Sequence, residues 1–345
     1  MAMDWLEKIS SSVYVIAEAG INHNGDMELA RAMIEVAAES GVNAIKFQTF
    51  RVHDLLTRDA PKADYQKRLT GGDVSQFDML KRCELSQSQH EKLITYCNDF
   101  NIAFISTPFE EKSADLLHKL EVPLFKIPSG EITNLPFLKN VAQKKRPMII
   151  STGMSTMDEV DQALRTVRQN GCEHIALLHC TSNYPTEMRD VNLKAMQTMH
   201  QAFRVPVGYS DHTLGYEIAA ASVALGARII EKHFTIDKTL PGPDHQASLE
   251  PSEMVEFVRV IRHIETALGN GRKAPVESEL STRTMARKSL VFSRPVIANS
   301  IIVDKMLEAK RPGTGISPAL LEHVIGRRLV CDVEEGTLVS WNMLN

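Results

Sequence analysis

Two histidines and three lysines set in or beside apolar runs are the residues of this chain best suited to chemistry. His212 lies in S-D-H-T (210–213), Lys232 and His233 in E-K-H-F-T (231–235), Lys46 in K-F-Q-T (46–49) and Lys126 in F-K-I-P-S-G-E (125–131). A charge within an apolar run is costly unless it is paired or used. Other polar residues end similar runs: Glu18; Gln48; Ser106 and Thr107; Ser129 and Glu131; Ser151 and Thr152; His179, Asn183 and Tyr184; Ser210 and Asp211. Taken singly, a Ser, Thr or Asp at such a place caps the next helix. A lone strand Lys or Glu is an ion pair, and a lone His is a satisfied polar side chain. Recurrence at the same end of every run makes an active site the better account. Two imidazoles on neighbouring strands, about 4.8 Å apart, reach one metal ion. With the carboxylates Glu18 and Asp211 beside them they suit Mn²⁺, Zn²⁺, Co²⁺ or Fe²⁺, while Mg²⁺ prefers oxygen. Two protein ligands leave positions open for a carbonyl to be polarised. Lys46, Lys126, Thr107, Ser129 and Ser151 together make a cradle for a phosphorylated, doubly anionic substrate such as an enol phosphate. The rival use of a buried lysine is a Schiff base, which would make Lys126 or Lys232 the nucleophile of an aldolase.

These residues need a scaffold that brings run ends together, and the chain repeats one pattern over its first 270 residues. The apolar, β-branched runs are 13–20, 44–50, 102–109, 124–131, 147–154, 174–185, 206–213 and 229–235. Helical segments separate them. Residues 26–40 place Leu29, Met33, Val36 and Ala37 on one face and stop before Gly41; residues 86–100, 155–170 and 251–268 are the other clear cases. Apolar strands that each return through a helix imply a parallel sheet under helices, and eight such units predict a TIM (β/α)8 barrel, an α/β fold. A doubly wound open sheet is the runner-up, but no G-x-G-x-x-G or P-loop appears. The connection 51–85, with Arg51, Arg58, Lys62, Tyr65 and Gly71-Gly72, is long enough to be a lid or substrate loop. The reading therefore divides the chain into a barrel (1–270), a polar linker (271–287) and a small, mostly-β domain (288–345).

Composition excludes several function classes. With 39 basic and 43 acidic residues the net charge is −4, which gives nucleic acid or an anionic membrane no reason to bind. The five cysteines form no C-x-x-C and read as reduced thiols of a cytoplasmic protein. The N-terminal residues 1–12 have no apolar core of a signal peptide, and the longest uncharged apolar stretch, Ile218 to Ala227, is too short to span a bilayer.

The motifs in combination resemble the N-acetylneuraminate (sialic acid) synthase family. They are I-A-E-A-G-I-N-H-N-G (16–25), K-F-Q-T (46–49), S-T-P-F (106–109), F-K-I-P-S-G-E (125–131), S-T-G-M (151–154), S-D-H-T-L-G (210–215), E-K-H-F-T (231–235) and P-G-P-D-H (241–245). The tail K-R-P-G-T-G-I (310–316) resembles that family's antifreeze-like (SAF) domain. The resemblance implies condensation of phosphoenolpyruvate with the open-chain aldehyde of an N-acylated mannosamine-type sugar, with release of phosphate. It implies that His212 and His233 hold a divalent metal, Mn²⁺ before Mg²⁺ or Co²⁺. It puts Lys46, Thr107, Lys126, Ser129, Ser151 and Ser210 on phosphoenolpyruvate, Gln48 among the substrate-binding residues and Glu18 at the reacting centre. Glu131, Tyr184 and Asp244 fall near the sugar, and Arg311 would reach it from the partner of a domain-swapped homodimer. T-S-N-Y-P (181–185) departs from the family's T-N-x-Y-P, which leaves the phosphate contact to Ser182 or Asn183. The pieces A-D-Y-Q (63–66) and S-Q-F-D-M-L (75–80) look more like the legionaminic acid synthases, which take a 2,4-diacetamido-trideoxymannose in place of N-acetylmannosamine. A Schiff-base aldolase and a non-catalytic sugar-binding barrel are the alternatives.

Overall fold

The structure, a computed structural model, describes residues 9, 11–58, 60–62, 66–67 and 75–345. Tyr65, Gly71, Gly72, most of A-D-Y-Q and residues 1–8 lie outside the described residues. Among the described residues eight strands alternate with eight longer helices: β1 (Tyr14–Gly20), α1 (Met27–Glu39), β2 (Ala44–Thr49), α2 (Gln87–Asp99), β3 (Ala103–Pro108), α3 (Glu111–Lys119), β4 (Phe125–Ile127), α4 (Leu135–Ala142), β5 (Met148–Ser151), α5 (Met157–Gln169), β6 (Ile175–His179), α6 (Lys194–Phe203), β7 (Val207–Asp211), α7 (Glu217–Ala224), β8 (Ile229–His233) and α8 (Pro251–Leu268), with two short helices, Val52–Leu55 and Gln76–Lys81, in the connection after β2. The strands form one parallel sheet in the order β3-β2-β1-β8-β7-β6-β5-β4. Its ends, β3 and β4, approach each other closely, but no ladder hydrogen bond joins them among the described residues. The result is a nearly closed TIM barrel with its helices outside.

Local chemistry sets the helix starts. The Asp26 carboxylate accepts from Glu28 N at 2.8 Å at the start of α1, and Ser86 with Gln89 and Thr156 with Glu159 form capping boxes on α2 and α5. Gly41 ends α1 in the left-handed region, φ +79°, where a side chain would be strained. The buried face of α1 is Ala30, Met33, Ile34 and Ala37. It therefore lies one step round from the predicted face, and Leu29 and Val36 sit at its half-buried edges. β4 is shorter than predicted because Pro128 cannot donate to a ladder, and Ser129–Glu131 turns into a 3₁₀ segment.

Register places the charges in layers. Glu18 of β1 pairs with Lys46 of β2 on one side and with His233 of β8 on the other. On the next strands Ser210 pairs with Glu231. All these positions lie towards the C-terminal strand ends, which is the catalytic face of such barrels.

The chain divides into two compact units, one to Gly269 and one from Asn270 to Asn345. The stretch 271–287, read as linker from its composition, carries a 3₁₀ turn (Glu277–Glu279) and a helix (Leu280–Ala286). In the second unit β9 (Ser289–Phe292) pairs antiparallel with β10 (Leu307–Lys310) over a core of Leu290, Phe292, Val296, Ile302, Ile316, Val324, Leu329, Val333 and Val339.

Candidate active site

A cavity of about 420 Å³ opens at the C-terminal strand ends. Its wall includes Glu18, Lys46, Gln48, Thr107, Lys126, Ser129, Ser151, Tyr184, Ser210, His212, His233 and Asp244. The structure thus gathers most of the predicted site at one place. Its floor is a set of buried charges. Lys46 Nζ lies 2.7 Å from Glu18 Oε2 and donates to Thr107 Oγ1 at 3.1 Å.

Glu231 was not singled out in the sequence, yet it sits at the centre of that floor. Its Oε1 accepts from Ser210 Oγ at 3.0 Å and from Lys126 Nζ at 3.3 Å, with Lys46 Nζ at 3.7 Å. The available signal was its place at the head of E-K-H-F-T, two residues before His233 and so on the same face of β8. Burial works to raise the Glu231 carboxyl, but Lys126, Lys46 and His233 overcome it and hold the group at about 2. Glu18 goes the other way. Burial, aided by Glu231 and opposed by Lys46, lifts it to about 7, where a carboxyl exchanges protons near neutral pH. Burial lowers Lys126, with Lys46 adding and Glu231 opposing. Burial likewise raises Asp244 to about 6.

The two imidazoles face one another, with ring centroids 5.4 Å apart. Tyr184 packs on both, 4.1 Å from His212 and 5.5 Å from His233. Burial pushes His212 down to about 4 and His233 well below the usual histidine range, so both are neutral at pH 7. His212 Nδ1 lies 2.7 Å from the Thr181 carbonyl oxygen. A carbonyl only accepts, so Nδ1 carries the hydrogen and Nε2 keeps its lone pair. His233 Nδ1 is buried with no hydrogen-bond partner. A cation bound at about 2.1 Å stands roughly 3.2 Å from a ring centroid, so rings up to about 6 Å apart can share one. Both rings fit that role. Among the described residues no group of three or more His, Cys, Asp or Glu side chains converges on a metal position. Two imidazoles alone would leave coordination positions for substrate.

Several predicted residues are used elsewhere. Asp211 faces away from the histidines, accepting from Lys232 Nζ at 2.9 Å and from Thr213 N and Oγ1. Lys232 is fully buried in that pair and also donates to the Thr213 carbonyl, so it offers no free amine for a Schiff base. Glu131 is absent from the cavity wall, since its 3₁₀ turn directs Oε2 to Asn134 Nδ2 at 2.7 Å. Asn183 is exposed, whereas Ser182 lines the cavity. Arg311 belongs to the second unit, where its Nε donates to the Ala286 carbonyl at 3.0 Å.

The sequence model of the NeuB family matches residues 33–273, and that of the SAF domain matches residues 287–345. The chain belongs to the NeuB family. It is 47% identical to the N,N'-diacetyllegionaminic acid synthase of Legionella pneumophila, over 96% of this chain and 94% of that protein. It is 36% identical to the human N-acetylneuraminate-9-phosphate synthase, over 96% and 92%. Among solved structures, the sialic acid synthetase of Leptospira borgpetersenii superposes with a TM-score of 0.69 at 35% identity, covering 79% of this chain and 90% of that one. This NeuB-family member is accordingly a condensing synthase that uses phosphoenolpyruvate, a transferase.

Proposed function

We propose that this NeuB-family synthase condenses phosphoenolpyruvate with the open-chain aldehyde of 2,4-diacetamido-2,4,6-trideoxymannose, giving a legionaminic acid and inorganic phosphate. One observation carries the reading. A single cavity puts two buried ammonium groups and a set of hydroxyls next to two neutral imidazoles. The choice of sugar leans on relatives named as legionaminic acid synthases, which are 46–47% identical against 36% for the human sialic acid enzyme.

Each group has a task. Lys46, Lys126, Thr107, Ser129, Ser151 and Ser210 hold the carboxylate and phosphate, with Gln48 beside them. His212 and His233 hold a divalent metal, Mn²⁺ in our reading, which would polarise the sugar's aldehyde oxygen. The enol carbon of phosphoenolpyruvate then attacks the aldehyde carbon, and water adds to the cationic carbon left behind. Glu18, with its carboxyl at about 7, takes a proton from that water. The resulting carbon–oxygen adduct breaks to expel phosphate. Tyr184 and Asp244 line the sugar end of the cavity. Closing the site against bulk water falls to the partner's SAF domain in a domain-swapped homodimer.

Release of inorganic phosphate from phosphoenolpyruvate with Mn²⁺ tests the reading, each candidate aminosugar being supplied in turn. The expected result is fastest release with the diacetamido sugar. Preference for N-acetylmannosamine would move the enzyme to the sialic acid branch, and no release with any sugar would end the proposal.

Two variants probe the parts. An added Cβ on Gly153 would lie 2.3 Å from Ser182 Oγ and 2.8 Å from Ser129 Oγ, while the Gly153 amide donates to that Ser129 oxygen at 3.0 Å. Gly153→Ala therefore displaces the hydroxyls of the anion cradle, and the KM for phosphoenolpyruvate should rise roughly 10-fold, the loss of one hydrogen bond to a charged group. An unchanged KM would detach Gly153 from the cradle. Arg311→Ala should raise the KM of the sugar more than that of phosphoenolpyruvate, and the reverse order would remove Arg311 from the sugar.

A further inference from the structure

The cavity has two kinds of wall. Strand ends supply the charges and hydroxyls, while Ile21, Phe50, Leu55, Leu56, Leu80 and Phe109 also line it. These six belong to a hydrophobic cluster of their own, distinct from the barrel core. Phe50 and Phe109 follow the ends of β2 and β3 and meet edge to face with ring centroids 6.1 Å apart. Leu55 and Leu56 come from the long connection after β2 and, like Phe109, are only half-buried, so they present apolar surface to the cavity.

Such a surface is a poor host for a fully hydroxylated hexose. A hydroxyl pressed against it loses water and gains no partner, which costs binding. A methyl group placed there gains the area it removes from water. Resting on the function proposed above, we infer that this wall, Leu55 and Leu56 foremost, determines specificity. It receives the methyl groups of a 6-deoxy, N-acetylated sugar and disfavours a hydroxyl on carbon 6.

The test compares N-acetylmannosamine with its 6-deoxy analogue, two sugars that differ by one hydroxyl, by phosphate release with phosphoenolpyruvate and Mn²⁺. The wild-type enzyme should favour the 6-deoxy sugar in kcat/KM by roughly 10-fold or more, the range a single group commands in an apolar pocket. Leu55→Gln and Leu56→Gln should each carry that ratio towards one, through the KM of the sugar and not that of phosphoenolpyruvate. Equal use of both sugars by the wild type overturns the inference, and that comparison stands even where a variant fails to fold. A ratio unmoved in both soluble variants also overturns it. Absence of phosphate release with every aminosugar, the diacetamido sugar included, would instead bring down the functional reading and the inference with it.

Discussion

Replacing His212 with alanine should cut turnover by roughly 10²- to 10³-fold, about the loss seen when one preorganised electrostatic contact to developing charge is removed. His212 is already held in place for the metal-binding role proposed above. The Thr181 carbonyl fixes its tautomer and Tyr184 packs against its ring. Alanine leaves His233 as a single nitrogen donor, which is too weak a hold on a divalent ion at ordinary concentrations. Loss of metal affinity is thus the second expected result, read by titrating Mn²⁺ into the protein and following its free-ion paramagnetic signal. Near-normal rates at saturating Mn²⁺ would contradict the assignment.

Glu231→Gln should be a strongly damaging isosteric change for folding. It leaves the Lys126 ammonium without its partner at 3.3 Å and removes the second carboxylate near Lys46. Breaking one member out of a buried charge set costs about 3 kcal/mol or more, read as a lower urea midpoint at pH 7. The pH dependence has a definite sign. The folded carboxyl lies at about 2, below its ordinary 4.5, so its contribution is complete above pH 4.5 and fades as pH falls towards 2. The gap between wild type and variant should therefore narrow in acid. A gap that widens there, or is absent at neutrality, would show that Glu231 does not bear the ion pairs.

Much of this architecture was legible in the chain because strand, helix and catalytic face follow from short-range patterns. Apolar runs such as Ile229–Ile230 ahead of Glu231-Lys232-His233 mark both the strand and the end where chemistry gathers. What escaped depended on neighbours that sequence spacing does not order. Asp211 and His212 are adjacent residues of one strand end, so they point to opposite sides, and only pairing with Lys232 on β8 reveals that Asp211 is structural. Glu231 drew no reading of its own from the sequence, because its convergence with Lys46 of β2 and Lys126 of β4 appears only once the sheet has curled round. Asn183 and Ser182 were indistinguishable until the loop after β6 had a course. The apolar wall was invisible for the same reason, since its members lie almost ninety residues apart, from Ile21 to Phe109.

The unladdered seam between β3 and β4 would give the proposed substrate a mechanical part to play. Thr107 stands on one lip of that seam and Lys126 on the other, each lining the same cavity. An anion gripped by both, as proposed above, would be a rivet across the junction that no ladder hydrogen bond closes among the described residues. On the roles proposed above, loading that anion would stiffen the rim of the cavity.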